Sequence, residues 1–206
     1  MKLAAFRTIL LALAAMLAVQ TAPAAAQFLS HWRIVAAGQP REVGNSELLV
    51  TPVSDWNRST NRPTRYSEAW TRDGMALNEL DFIVALKEGK PLFRERNRRR
   101  DPLPKFDADF LPTDIAEFFE NSAQVVLGGS LFTVTEVRPA QLAGHPGVHF
   151  TYTYTGGDNV DRKGEVRAAI IDKKLYLINF DAPRIHYFDA SIAEVRQIMD
   201  SAQLRP

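Results

Sequence analysis

The sequence predicts an α+β fold in which helices pack on one antiparallel sheet. The C-terminal half carries consecutive strand-like segments joined by short turns, which is the pattern of antiparallel hairpins. Two segments with apolar residues at helical spacing flank those strands. The chain has 206 residues, is 46% hydrophobic and 24% charged, and contains no cysteine. This composition excludes a disordered chain, a disulfide scaffold and a thiolate metal site.

The first 26 residues have the pattern of a secretory signal peptide. Lys2 and Arg7 precede an apolar stretch over residues 9–19, which is well short of the roughly 20 residues that span a bilayer. Small residues offer cleavage after Ala24 or Ala26. The sequence therefore predicts an exported, periplasmic protein. Without Lys2 and Arg7 the chain has 23 basic and 24 acidic residues, and we expect neither a nucleic-acid partner nor a membrane span after cleavage.

The first part of the mature chain is predicted to be less regular than the rest. Residues 27–45 lack periodicity and contain Gly38, Pro40 and Gly44, so an irregular arm is expected there. A single α+β domain is expected over residues 46–206. Its first strands are predicted at Glu47–Thr51, Tyr66–Thr71 and Leu77–Leu86, with a polar, turn-rich stretch at Asp55–Pro63.

A loop over Glu95–Phe110 leads to the first predicted helix. Pro112 suits a first helical turn, and Thr113 or Asp114 can accept a hydrogen bond from a free N–H group there. The apolar stripe of this helix comprises Ile115, Phe118, Phe119, Ser122, Val125 and Val126. Gly128 and Gly129 are expected to end it.

The strands of the C-terminal half have clearer patterns. They are predicted at Leu131–Val137, Val148–Thr155, Glu165–Ile171 and Leu175–Phe180, the last two joined by a tight turn. In the second, apolar residues alternate with His149, Thr151, Thr153 and Thr155, which form a polar face. That face is either a ligand platform or a side of the sheet that is exposed or partly covered by a helix. A last helix is predicted over Ala190–Leu204, with Ser191 and Glu194 at capping-box spacing.

The C-terminal half carries Leu142–Phe150 (LAGHPGVHF), Lys174–Ala182 (KLYLINFDA) and a final helix that ends at Ser201-Ala202. With the Thr/Tyr strand, these segments resemble the PsbP-like superfamily over roughly residues 112–204. The resemblance implies an α/β/α sandwich around an antiparallel sheet. Its better-known members, among them a photosystem lumen protein and a Ran-binding import factor, act as binding or assembly modules without shared catalytic residues. The N-terminal half is similar to uncharacterised exported bacterial proteins through Trp56-Asn57 and Trp70-Thr71.

The strongest local feature is a basic run. It comprises Arg94, Arg96, Arg98, Arg99 and Arg100, with Lys105 close behind. Clustered guanidinium groups can hold phosphates or carboxylates bidentately, so an anionic lipid or glycan is an expected partner. The alternative is a solvated loop whose arginines pair with neighbouring acids. Loss of binding to anionic vesicles when Arg98, Arg99 and Arg100 become serine would favour the first interpretation.

Trp56, Asn57 and Trp70 lie in otherwise polar segments and are further candidate binding residues. Aromatic rings beside amide and guanidinium groups can stack on a sugar or a partner chain. The alternative is that the rings cover the open end of the core, in which case Trp70→Ala should unfold the domain.

Neither a metal centre nor a catalytic site is predicted. His145 and His149 start about 13 Å apart on an extended strand, too far to share one ion. No nucleophile motif is present, and no cofactor is expected. We therefore expect a non-catalytic exported module that binds or scaffolds an envelope partner, a protein first and an anionic lipid or glycan second. The alternatives are an envelope hydrolase that acts on a cell-wall component and a small-ligand carrier.

Overall fold

Eleven strands and two helices make up the part of the chain that the computed structural model describes, residues 31–128 and 131–205. The strands are β1 (Trp32–Val35), β2 (Arg41–Glu42), β3 (Leu48–Val50), β4 (Trp56–Ser59), β5 (Ser67–Thr71), β6 (Glu79–Lys87), β7 (Phe132–Leu142), β8 (His145–Thr155), β9 (Asp161–Ile171), β10 (Lys174–Pro183) and β11 (Gln203–Leu204). The helices are α1 (Pro112–Val126) and α2 (Tyr187–Asp200). The predicted signal peptide lies outside the described residues.

Eight strands form one antiparallel sheet in the order β1-β4-β5-β6-β10-β9-β8-β7. The long hairpins β7–β8, β8–β9 and β9–β10 follow the chain, whereas β6 from the N-terminal half pairs with β10 near the end. A separate three-stranded sheet has the order β11-β3-β2. The β6–β10 pairing therefore brings residues from the two halves of the chain side by side.

The two helices lie on opposite faces of the large sheet, as the alternation of β10 shows. Leu175 and Leu177 pack in the core under α1, whereas Tyr176, Ile178 and Phe180 pack in the core under α2. The three-stranded sheet adds Val43, Leu48 and Val50 to the α2 side. This layering confirms the predicted α+β fold with helices on an antiparallel sheet. Among the described residues, no helix is long and apolar enough to cross a membrane.

Helix α1 begins at Pro112, as predicted, because a first-turn proline loses no hydrogen bond. The Asp114 carboxylate accepts a hydrogen bond from the Leu111 N–H at 2.8 Å. Helix α2 differs from the prediction at both ends, starting at Tyr187 and ending at Asp200. The last residues leave the helix because they pair with β3. The expected capping residue Ser191 is instead buried within the helix and accepts a hydrogen bond from Arg72.

The arm expected to be irregular contains two short strands, β1 and β2. Strand β1 pairs with β4, which itself lies in the stretch expected to be polar and turn-rich, and β2 pairs with β3. Strands this short have too few residues to show a periodicity in the sequence. Pairing with neighbouring strands is what stabilises them.

Candidate functional site

Trp56 and Trp70 are core residues, as the alternative interpretation of these rings expects. Each ring is at most 1% exposed. The Trp56 indole N–H donates to Glu194 Oε1 at 2.9 Å, and the Trp70 indole N–H donates to Glu68 Oε1 at 2.8 Å. A buried indole N–H group needs an acceptor, and a glutamate carboxylate supplies it for each ring. Asn57, half-buried on β4, points to the opposite face from Trp56.

The basic run divides into residues with different surroundings. Lys105 Nζ donates to Glu95 Oε1 at 2.6 Å, and Arg98 Nε lies 3.7 Å from the same carboxylate. The hydrogen bond from Lys105 lowers the pKa of Glu95. Arg99 and Arg100 are exposed. The run thus includes paired residues at Lys105 and Arg98, as the solvated-loop interpretation expects.

Arg94 and Arg96 are also exposed, but they line a cavity of about 740 Å³ between α1 and the sheet. Its apolar residues are Ile83, Leu92, Phe93, Phe119 and Val126, and its polar residues include Asn61, Thr64, Ser67, Glu79, Asp81, Glu95 and Asn179. Leu92, Phe93 and the two arginines come from the loop after β6, so that loop covers the sheet beside α1. The cavity therefore has apolar walls, a polar sheet side and two guanidinium groups on its covering loop.

Glu79 and Asp81 are the ionisable groups on the sheet side of the cavity. They are two residues apart on β6, so both side chains lie on the face that carries Ile83. Burial raises the pKa of Asp81 well above its usual range, and the charge of Glu79 raises it further. Burial also raises the pKa of Glu79, against a hydrogen bond from Asp81. The pair therefore retains a proton to higher pH than exposed carboxyls do.

Asn179 on β10 lies opposite Asp81 and connects the acid pair to β8. Its amide Nδ2 donates to Asp81 Oδ2 at 3.4 Å, and its Oδ1 accepts the Tyr152 hydroxyl proton at 2.8 Å. The Tyr152 ring lies over Gly164 on β9, where an added Cβ would come within 2.0 Å of the ring. Gly164 thus gives Tyr152 the space to reach across β9.

Asp181 extends the polar face of the sheet beyond Asn179. Its Oδ1 accepts hydrogen bonds from Arg162 Nη1 at 2.9 Å and from the Tyr154 hydroxyl at 3.1 Å. Burial outweighs these contacts and raises the pKa of Asp181, while Tyr154 is also shifted to a higher pKa by burial. The sheet under the α1 side therefore carries a continuous polar region next to the cavity.

The polar face of β8 lies on the other side of the sheet, so it does not form an open ligand platform. His149 and Thr151 are buried there, and only Thr155 at the strand end is exposed. Arg138 donates to His149 Nδ1, so Nε2 carries the imidazole proton and lies 2.9 Å from Glu165 Oε1. Arg196 on α2 donates to the same carboxylate at 2.7 Å. Burial opposes ionisation of Glu165, but His149 and Arg196 outweigh it and lower its pKa to about 2.

Sequence reasoning did not single out Glu79, Asp81 or Asp181 as site residues and did not connect them with Arg94 or Arg96. A local signal was available in β6, where two acids share the face of Ile83 in an otherwise apolar strand. A second signal was Gly164 in a strand interior, which often marks a close approach of another group.

The lining of the cavity offers contacts to both the apolar and the polar parts of a molecule. The apolar walls suit a hydrocarbon or ring, the acid pair and Asn179 can exchange hydrogen bonds with hydroxyl or amide groups, and Arg94 and Arg96 can hold an anionic group. Across residues 31–128 and 131–205, no three histidine, aspartate or glutamate side chains are placed to hold a metal ion.

No protein-family model and no curated protein matches the chain. Among solved structures, it is similar to cyanobacterial PsbP (CyanoP) from Synechocystis sp. PCC 6803, with 14% identity, 85% of this chain and 82% of that chain covered, and a TM-score of 0.41. LpqN, involved in cell envelope biogenesis of Mycobacterium tuberculosis, has 11% identity, coverage of 86% and 80%, and a TM-score of 0.36. The Saccharomyces cerevisiae Ran-binding protein Mog1p has 9% identity, coverage of 84% and 95%, and a TM-score of 0.49. The observed sandwich is the arrangement that the sequence resemblance implied, and a PsbP protein is among the structures that it resembles.

Proposed function

We propose that the protein is an exported, non-catalytic binding module that holds a small amphipathic molecule of the cell envelope in the cavity between α1 and the sheet. The observation that carries this proposal is the cavity itself, about 740 Å³ in volume with apolar walls and an adjacent polar side. Ligand pockets typically measure about 300–1,000 Å³ and combine apolar walls with a few placed polar groups.

The arrangement of Glu79 and Asp81 favours binding of a ligand over hydrolysis of a substrate. A glycosidase needs two carboxyl groups on either side of the scissile bond, roughly 5–10 Å apart, with one protonated and one ionised. Here both carboxyls lie on one face of a single strand and the pKa of each is raised, so their surroundings favour the ionised form of neither. The pair is better suited to donate and accept hydrogen bonds to one polar group of a ligand.

A protein partner was the first expectation from the sequence, and Trp56 and Trp70 were candidate contacts for a sugar or a partner chain, with a core role as the alternative. Both rings are buried and already donate to glutamates. The proposal therefore moves from a protein partner to a small ligand. Export rests on the signal-peptide pattern of residues 1–26 and is tested by fractionation, where the processed protein should appear in the periplasm.

The ligand can be identified by extracting protein purified from its native periplasm with organic solvent and analysing the extract by mass spectrometry. Val126 lines the cavity at the end of α1, so Val126→Trp should obstruct part of it. Asn121→Trp places the same ring on an exposed position of that helix and is the matched control. We expect one class of compound with the wild type and Asn121→Trp and none with Val126→Trp. Equal yields from all three proteins, or no discrete compound, would contradict the proposal.

The roles of the arginines can be separated with the anionic aromatic dye anilinonaphthalene sulfonate as a probe. Replacing Arg94 and Arg96 with alanine should weaken dye binding about tenfold, because a charge-assisted hydrogen bond to an anion contributes roughly 1.5–3 kcal/mol. Replacing Arg99 and Arg100 with alanine removes the same charge from exposed positions outside the cavity. An equal loss in both double variants would show that general electrostatic attraction, rather than the cavity, binds the dye.

A further inference from the structure

Glu68 is a buried carboxylate between the two sheets and has several arginines around it. Its side chain is 1% exposed. Oε2 accepts hydrogen bonds from Arg62 Nη2 at 3.0 Å, Arg58 Nη1 at 3.3 Å and the Gly44 N–H at 3.2 Å. Arg41 Nε lies 3.9 Å from Oε1, which also accepts from the Trp70 indole. The carboxylate thus links β2, β4 and the loop before β5 to the core.

The positive charge around Glu68 exceeds what one carboxylate can balance. Arg33 on β1 lies directly opposite Arg58 on β4, a placement that is unfavourable for like charges on neighbouring strands. Arg33 has no ion-pair partner within the described part of the chain. Burial and the charges of Arg58, Arg62 and Arg33 lower the pKa of Arg41, while Glu68 opposes them. Four guanidinium groups therefore share one negative charge.

The same cluster is also short of hydrogen-bond acceptors. The Nε atoms of Arg41 and Arg58 are buried and have no hydrogen-bond partner. The rest of these guanidinium groups reaches solvent, since 33% of the Arg41 side chain and 16% of the Arg58 side chain are exposed. Arg33 is exposed beside them. Donors that face solvent in a region of excess positive charge can receive an anion with several oxygens.

We propose that Arg33, Arg41, Arg58 and Arg62 form a binding site for a phosphate group, with Glu68 holding the last three arginines in place. A tetrahedral oxyanion that contacts the exposed parts of these side chains balances the excess positive charge and reduces the repulsion between Arg33 and Arg58. The group can belong to free inorganic phosphate or to a phospholipid headgroup. This site is separate from the cavity, because none of the four arginines lines it.

The test is the melting temperature of the purified mature protein in inorganic phosphate against chloride at equal ionic strength. Phosphate at about 100 times its dissociation constant should raise the Tm by roughly 5–10 °C over chloride. Arg33→Gln removes one exposed guanidinium and leaves the contacts of Glu68 intact, so it should reduce that rise by more than half. Arg99→Gln is the matched control for loss of an exposed arginine and should keep the full rise. Val126→Trp, which obstructs the cavity, should also keep the full rise in Tm.

Sedimentation with vesicles of phosphatidylglycerol or of phosphatidylcholine identifies the source of the phosphate. Binding to phosphatidylglycerol that Arg33→Gln weakens indicates a lipid headgroup, whereas a phosphate-specific Tm rise without vesicle binding indicates the free anion. Equal Tm values in phosphate and chloride would overturn the proposal, as would a rise unchanged in Arg33→Gln. Val126→Trp obstructs the cavity but leaves the arginines around Glu68 unchanged. The outcome of the phosphate test therefore does not depend on whether the cavity binds a ligand.

Discussion

Both faces of the large sheet carry recessed carboxylates, but the pKa of Glu165 on the α2 face is lowered, whereas those of Glu79 and Asp81 on the α1 face are raised. On the α2 face, Glu165 contacts Arg196 and His149, and Glu68 contacts three arginines. On the α1 face, Glu79 and Asp81 have no cation within 4.0 Å among the described residues, although Asp181 further along that face contacts Arg162. The pKa of Glu165 falls to about 2, whereas those of Glu79 and Asp81 rise.

This difference separates side chains that stabilise the fold from side chains that remain available. A paired carboxylate contributes stability at neutral pH, because the folded state favours its ionised form. A carboxylate with a raised pKa costs stability at neutral pH, because the folded state favours its protonated form. Sequences tolerate such a cost mainly at functional sites. The comparison therefore supports the proposed ligand site beside Glu79 and Asp81 on the α1 face, and it indicates that Glu165 on the α2 face stabilises the fold.

Trp70→Ala tests the closed α2 face and should have the largest effect. The ring is fully buried and packs against Phe82 with centroids 4.6 Å apart. Its removal should lower the free energy of unfolding by about 3–5 kcal/mol, measured by urea denaturation. Trp32→Ala, at a position 38% exposed, should cost less. Similar losses in both variants would contradict the assignment of Trp70 to the core.

Glu165→Gln tests whether the paired carboxylate is structural. It leaves Arg196 and the buried His149 without their partner, and we expect a loss of about 2–3 kcal/mol at pH 7, because half-exposed Arg196 can be partly rehydrated. The wild-type contribution is present above pH 4.5 and disappears as the pH falls towards 2, so the two proteins should converge there.

The control for this variant is Asp200→Asn, which removes an exposed ion pair with Arg167 and should change stability by less than about 1 kcal/mol. A loss from Asp200→Asn as large as that from Glu165→Gln would mean that burial does not distinguish the two pairs.

The C-terminal sheet was predictable because its information is local. The predicted strands before and after positions 172–174 match β9 and β10 closely, since Asp172 and Lys173 adopt the positive φ angles of a two-residue hairpin turn. The strands β1, β2 and β4 were not predictable in the same way, because they are short and their stability comes from pairing with neighbours.

The candidate site was less predictable, because its members meet only in the folded sheet. Asp81 and Asn179 are 98 positions apart and contact each other through the β6–β10 pairing. The loop that carries Arg94 and Arg96 has no periodicity that would indicate which face it covers. The polar neighbours of Trp56 and Trp70 left a binding role and a core role open in the sequence, and the structure shows that a neighbour such as Glu68 is buried with them.

Gly164→Ala tests how the α1 face is built. The new Cβ would lie 2.0 Å from the Tyr152 ring and 2.3 Å from its hydroxyl, so the ring must move away from Asn179. We expect a loss of about 2 kcal/mol from overpacking. Tyr152→Phe removes only the hydrogen bond to Asn179 and should cost about 1 kcal/mol. If Gly164→Ala were no more destabilising than Tyr152→Phe, the ring would not be held against β9.

Asp81→Asn should have the smallest effect, and its sign is the sharpest test of the comparison. Because the folded state raises the pKa of Asp81, it binds more protons than the unfolded state, and the stability of the wild type falls as the pH rises through the folded pKa. The amide stays neutral at every pH, so Asp81→Asn should match the wild type in acid and become relatively more stable as the pH increases. Glu165→Gln should show the opposite trend, because it becomes less stable relative to the wild type as the pH rises from about 2 to 4.5. Urea denaturation from pH 3 to pH 9, with the exposed Asp101→Asn as control, measures both slopes. Parallel slopes for Asp81→Asn and Glu165→Gln would mean that the two faces do not differ in how they hold their carboxylates.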